Sequence, residues 1–237
     1  MSDSKPDSPP GDTAAPGFRY QTDREHPIGG EMSDVLGGIV RHVQLPWLLE
    51  HYSRLPVLAL FAFLNGLLSI AIMSALALVT HSPFIFPSLG PTAFLFFYTP
   101  TAPTASPRNT IIGHGIGVVA GYFSLVVTGL TNAGPALTVG VTWPRVIAAA
   151  LSLGLTSGLM VLFKSPHPPA GATTLIISLG LLTQPIKLVI LMLAVVLLTV
   201  QAFVINRLAG IDYPIWSPRT PPTPPPTQGT TTADSRA

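Results

Sequence analysis

The apolar residues of this chain come in blocks too long for the core helices of a soluble domain. Pro56–Val79, Ile111–Leu130 and Ile186–Ile205 each reach the length needed to cross a bilayer, and Pro144–Phe163 is a fourth block of nearly the same quality. Crossing about 30 Å of hydrocarbon at 1.5 Å per residue takes roughly 20 residues of helix. Two further apolar stretches are interrupted by proline and glycine: Phe84–Tyr98, reading FIFPSLGPTAFLFFY, and Ser165–Leu182, reading SPHPPAGATTLIISLGLL. Each has a broken first half and a helical second half. Pro168 and Pro169 suit a helix start, because proline lacks the N–H that would be unpaired there anyway. A helix from Pro169 to Leu182 would be about 21 Å long, too short to cross alone. The pattern predicts an all-α integral membrane protein with four full transmembrane helices and two half-helices.

Laying one broken stretch over the other with an offset of 81 residues pairs Pro87 with Pro168, Gly90 with Gly171 and Thr92 with Thr173. Each stretch has a full span on either side, so the plan is span, broken segment, span, written twice: a two-fold internal repeat of the kind from which transporters are often built. If both broken segments cross completely, there are six crossings, the repeats are inverted, and the half-helix N-termini meet from opposite sides. If they are re-entrant, there are four crossings and the repeats are parallel. Six crossings place Arg41, Arg54, Arg108, Lys164 and Arg207 inside with Arg145 and Lys187 outside; four move Arg108 and Lys164 outside and Arg145 inside. The positive-inside rule favours the first. Either way both chain ends are expected in the cytoplasm, most naturally of a bacterial inner (plasma) membrane.

The flanks read differently. Residues 1–33, rich in Ser, Asp, Pro and Gly, are expected to be a disordered polar tail without a secretory signal, so that the first span acts as the insertion signal. Residues 34–54 carry Leu36, Ile39, Val40 and Val43 at helical spacing, then Trp47 and Tyr52, as in a helix lying along the interface. The membrane domain is expected over 55–207 and a Pro/Thr-rich disordered tail over 208–237.

Composition sharpens this picture through charge. Of all residues, 48% are hydrophobic and 9% charged, against about 25% charged in an ordinary soluble domain. Between Leu55 and Ile211 there is no Asp or Glu, while Arg108, Arg145, Lys164, Lys187 and Arg207 are basic. Basic residues also anchor span ends, which accounts for Arg145 and Arg207. Anchoring does not account for the missing carboxylates, the groups that cation pumps and proton-coupled carriers commonly use. An anion path is the more natural reading.

A helix N-terminus carries roughly half a positive charge and unpaired N–H groups, so two of them facing one cavity would form a weak anion site. Around the second half-helix lie His167, Gly171, Thr173 and Thr174; around the first, Ser88, Gly90 and Thr92. The alternative is that these Pro, Gly and Thr residues only kink and pack helices. Lys164 precedes the second half-helix and either draws anions inward or anchors the chain. His114, in an apolar span that Arg108 and Asn109 open, either lines the path or bonds to a neighbouring helix. Gly113, Gly117 and Gly121 beside it recur every four residues and read as a face for close helix packing. Asn65 and Ser69 read as interhelical hydrogen-bonding residues.

Enzyme function is not expected: no intramembrane acid and no cysteine is available. His114 and His167 lack a third ligand for zinc. No cofactor motif or nucleic-acid surface is evident. The expected partners are the lipid bilayer, a small anion and, from the glycine faces, further copies of the chain.

SPHPPAGATT at Ser165–Thr174 resembles the signature of the HPP family of integral membrane proteins, the His-Pro-Pro being His167, Pro168 and Pro169. PSLGPTAFLFF from Pro87 to Phe97 and PRNTIIGHGIGVVAGY from Pro107 to Tyr122 resemble the same family. The resemblance covers about Leu55 to Arg207. It implies a membrane protein usually described with four spans, some of whose chloroplast and cyanobacterial relatives are nitrite transporters. Some bacterial members carry additional cytoplasmic nucleotide-sensing CBS domains, for which this chain is expected to have no room.

Overall fold

The computed structural model describes residues 44–218. In chain order the helices are α1 (Leu45–His51), α2 (Arg54–Thr80), α3 (Leu89–Tyr98), a 3-10 turn (Pro103–Ala105), α4 (Pro107–Val127), α5 (Ala136–Val139), α6 (Trp143–Leu162), α7 (Pro169–Ser178) and α8 (Pro185–Leu208), with no strand among the described residues. The four helices α2, α4, α6 and α8 are long and apolar enough to cross a membrane. Helices α3 and α7 have ten residues each, about 15 Å.

Local chemistry sets these boundaries. Proline stands in the first turn of α4, α6, α7 and α8, where its missing N–H costs no helical bond. Ser106 caps α4 by accepting from the Asn109 N–H. Helix α7 stops at Ser178, short of the expected Leu182. Gly180 there turns to φ +82°, and the Gly180 and Leu181 N–H groups bond back to Ile177 and Ile176, a glycine-dependent helix ending.

The chain's course through the bundle follows from a few contacts. Helices α1 and α8 meet where the Leu45 N–H donates to the Ala209 carbonyl, 2.9 Å, and the α4 start joins them where the Arg108 N–H donates to Trp216, 3.0 Å. Arg108 also reaches the carbonyls of Phe163 and Lys164. One end of the bundle therefore gathers the starts of α2 and α4 and the ends of α6 and α8. At the opposite end, Arg145 in the first turn of α6 binds the last residue of α7, Ser178, and Gly134 of the α4–α6 loop. Since α4 and α8 begin at opposite ends, residues 81–106 and 163–184 each traverse the bundle as well, giving six passages. Asn206 near the end of α8 donates to the Phe96 carbonyl near the end of α3, so α3 and α7 point in opposite directions.

Helix α7 packs on α4 and α6, and α3 on α2 and α8. The glycine face of α4 makes the first of these approaches. A Cβ at Gly117 would lie 2.7 Å from the Ala170 carbonyl oxygen, and one at Gly121 would lie 2.9 Å from that of Thr174. Backbone thus meets backbone across α4 and α7, as the four-residue spacing predicts. Helix α8 supplies much of the core through Leu188, Leu191, Val195, Leu198 and Ala202, together with Phe96 and Phe97 of α3. Ser69 of α2 does form an interhelical bond, accepting from Gln201 of α8 at 3.0 Å. Asn65 does not: its amide bonds the Phe61 carbonyl of its own helix.

Two further expectations change. Arg145 is buried rather than an anchor at the span edge, because its guanidinium turns in to the carbonyls of Ser178 and Gly134. Residues 209–218, assigned to the C-terminal tail, pack on the domain: Tyr213 is buried, donates to the Ala105 carbonyl and sets its ring edge-on to Phe96 and Phe203. The two ends of the tail regions, 1–33 and 219–237, and the part of the interfacial segment over 34–43 lie outside the described residues.

Gly117→Ala should lower the thermal midpoint in detergent by several degrees, since overpacking costs about 1–3 kcal/mol. Gly158→Ala, whose Cβ would meet nothing within 4 Å, should leave it unchanged. Arg145→Met should cost about 1–3 kcal/mol for each carbonyl left without its donor, and Arg54→Met, at an exposed position, far less, by the same measurement.

Candidate functional site

The polar centre of the domain forms where the two half-helices and α4 converge. His114, the eighth residue of α4, and His167, just before α7, are both fully buried. Their rings lie 4.9 Å apart between centroids, with Nε2 facing Nε2 at 3.2 Å. Pro168 disfavours the helical conformation at His167, which sets that residue outside the helix it introduces.

The partners determine where the hydrogens sit. Nδ1 of His167 lies 2.8 Å from the Thr104 carbonyl. A carbonyl only accepts, so Nδ1 carries the hydrogen and Nε2 of the neutral ring carries a lone pair. Thr92 of α3 gives its hydroxyl hydrogen to the Ser88 carbonyl, 2.9 Å, and therefore accepts from the Nε2–H of His114, 2.9 Å. The other nitrogen of His114 is then an acceptor, filled by the Thr173 hydroxyl of α7 at 2.7 Å. The His114 Nε2–H also faces the lone pair of His167. Thr110, one turn before His114, adds a longer contact to Nδ1 of His167, 3.4 Å. Thr92 and Thr173, which the 81-residue offset pairs, thus hold the two sides of one imidazole.

Of the ten residues singled out by sequence, four meet directly: Thr92, His114, His167 and Thr173. Ser88 contributes its carbonyl, and its own hydroxyl is buried without a hydrogen-bond partner, as are those of Thr174 and Ser165. Gly90 and Gly171 do not join. Gly90 is exposed with open space where a side chain would be, and Gly171 sits beside Leu153. Arg108 caps the end of α6 through the Phe163 and Lys164 carbonyls instead of facing the cluster. Lys164 is exposed and stands at φ +48°, as the residue that turns the chain out of α6.

The expectation of open N–H groups at the start of α7 also changes. Pro168 and Pro169 have none, and those of Ala170 and Gly171 bond back to the carbonyls of His167 and Pro168, 3.0 and 2.9 Å. The helix dipole remains, and the donors within reach are imidazole N–H and hydroxyl groups. Sequence reasoning missed Thr104, which acts through its backbone and leaves no side-chain signal, and Thr110, whose spacing of four from His114 was a readable one. Two imidazoles alone fall short of a metal's ligand set, and among the described residues no third His, Cys, Asp or Glu joins them. An open cleft of about 330 Å³, lined by Tyr122, Thr131, Asn132, Ala133, Thr183, Gln184 and Pro185, lies at the other end of α4; eight residues along that helix, about 12 Å, separate Tyr122 from His114.

Residues 53–214 match the family model described as HPP, transmembrane region. A transmembrane protein of Dictyostelium discoideum is 37% identical over 93 residues, covering 39% of this chain and 29% of that protein. A second from the same organism is 36% identical over 93 residues, covering 39% and 27%. The matched stretch spans less than a third of the length of either curated relative. No solved structure matches the chain. With the family model covering well over half of its length and the His-Pro-Pro at the polar centre of its fold, the chain belongs to the HPP transmembrane family.

Proposed function

We propose that this protein carries a small monovalent anion across the membrane, with nitrite the leading candidate, and that the His114–His167 cluster is its binding site. The observation that carries the reading is the convergence of two buried imidazoles and the paired threonines Thr92 and Thr173 in a domain without a single carboxylate from Leu55 to Ile211. Ionisable side chains placed inside a membrane domain are costly and are by default functional. This set offers N–H and O–H donors, two opposed half-helices and no negative charge. A bent three-atom anion such as nitrite enters by replacing the contact between the imidazoles, accepting from the Nε2–H of His114 and, once its Nε2 is protonated, from His167. On this reading the opposed half-helices belong to an inverted repeat, and the protein is a carrier, not an enzyme.

Internal pairing of the cluster is also what a purely structural role would produce, so the test must separate folding from flux. Purified protein in liposomes should take up nitrite saturably above empty liposomes. His167→Ala should lower that uptake by about tenfold or more, as expected for losing roughly 1.5 kcal/mol of hydrogen bonding to a charged ligand, and Thr173→Val should lower it in the same direction. Unchanged uptake by folded His167→Ala protein removes the residue from the site. Loss of uptake together with loss of fold in both variants favours the purely structural role.

Orientation follows from charge. Arg54, Arg108, Lys164 and Arg207 lie toward one end of the bundle, and Arg145 and Lys187 toward the other. The positive-inside rule puts the first end in the cytoplasm, with both chain termini. Because the chain has no cysteine, introduced thiols report cleanly. Leu137→Cys in α5 should react in intact cells with an impermeant thiol reagent, and Arg54→Cys only after permeabilisation. The opposite pattern would invert the assignment.

A further inference from the structure

We infer that the site takes up one proton with each anion, and that the proton is held between His114 and His167. This rests on the transport reading above and adds to it the co-substrate. The observation is the facing of two ring nitrogens at 3.2 Å, one with hydrogen and one with lone pair, while the far nitrogen of each ring is held by the Thr104 carbonyl or the Thr173 hydroxyl.

An extra proton has one place to go. Nδ1 of His167 already carries hydrogen toward Thr104, and Nδ1 of His114 is filled by Thr173, so the acceptor that takes it is Nε2 of His167, which faces the His114 Nε2–H at 3.2 Å and the Thr92 hydroxyl at 3.3 Å. Protonation there turns the contact from N–H···N into two N–H groups facing each other, which repel. The rings part, and an anion that enters between them accepts from both. Neither ion is favoured alone, because a lone charge in a water-excluded site costs several kcal/mol; together they sum to zero. On release, His167 returns its Nε2 proton, the anion leaves, and the N–H···N contact re-forms, so each cycle moves one proton and one anion with no net charge.

No other group near the pair can supply the compensating charge. Helix α3 presents Thr92, the 3-10 turn presents the Thr104 carbonyl, α4 adds Thr110 and α7 adds Thr173. Arg108 and Arg145 are engaged by carbonyls, Arg207 pairs with Asp212, and Lys164 is exposed. A histidine pair also resolves the missing carboxylate relay: it is neutral when empty and cationic when loaded, the sense that an anion requires, whereas a carboxylate is negative when empty.

The test uses the full chain in liposomes at equal internal and external pH, with nitrite as the probe and a pH dye inside, and subtracts the rate in empty liposomes, through which nitrous acid leaks unaided. An inside-positive potassium–valinomycin potential of about 60 mV favours a lone monovalent anion about tenfold. The expected result is nitrite entry that the potential leaves within about twofold, with internal acidification at one proton per nitrite. His167→Gln, which keeps hydrogen-bonding capacity but cannot be protonated, should lose the acidification while retaining the wild-type thermal midpoint. Saturable nitrite entry that rises with the potential and leaves internal pH unchanged overturns the coupling and leaves the transport reading standing. One proton per nitrite in the Gln variant overturns the assignment to this pair. No entry above empty liposomes under either condition overturns both readings.

Discussion

A half-helix, which begins or ends inside a water-excluded domain, leaves backbone N–H and C=O groups that must each find a partner within the protein or cost several kcal/mol. This chain has two such helices, and much of its buried polarity answers that demand. The Phe96 carbonyl near the end of α3 is met by Asn206 from α8. The end of α7 is met by Arg145 from α6. At the start of α7, prolines remove two N–H groups and turn-like bonds consume the next two. Thr92 of α3 turns its hydroxyl to a backbone carbonyl and Thr173 of α7 turns its own to histidine. The imidazole pair sits where these arrangements meet.

That dependence explains why α4 is so closely fitted. It is the helix that both half-helices address, through His114, and the one whose glycines let α7 approach until backbone touches backbone. Half of its apolar window is buried, against 6% for α2, which lies along the edge of the bundle and contributes mainly apolar surface. Precision is concentrated at the centre and relaxed at the rim.

Much of this was legible in sequence because lipid imposes a length and a period. The four spans appeared as four blocks, and the half-helices as two proline-broken stretches, with errors of a few residues at ends where glycine stops a helix early. The offset pairing Thr92 with Thr173 anticipated two residues that now share one imidazole. What escaped was direction and depth. Arg145 stands at the edge of a span in the chain, and nothing in a linear reading says that its long side chain turns inward to a helix end 33 residues away. Gly90 and Gly171 matched the expected pattern yet face away from the centre, since the offset fixes correspondence and not which side of a helix is turned inward. Tyr213 lay beyond the last apolar block, in a stretch whose proline and polar residues masked its two aromatic contacts.

The opposed course of α3 and α7 has a mechanical consequence. Two short rods that share a point near their starts and run apart toward opposite faces act as the arms of one lever. On the proposed transport reading, that shared imidazole is the point through which opening at one face would be felt at the other.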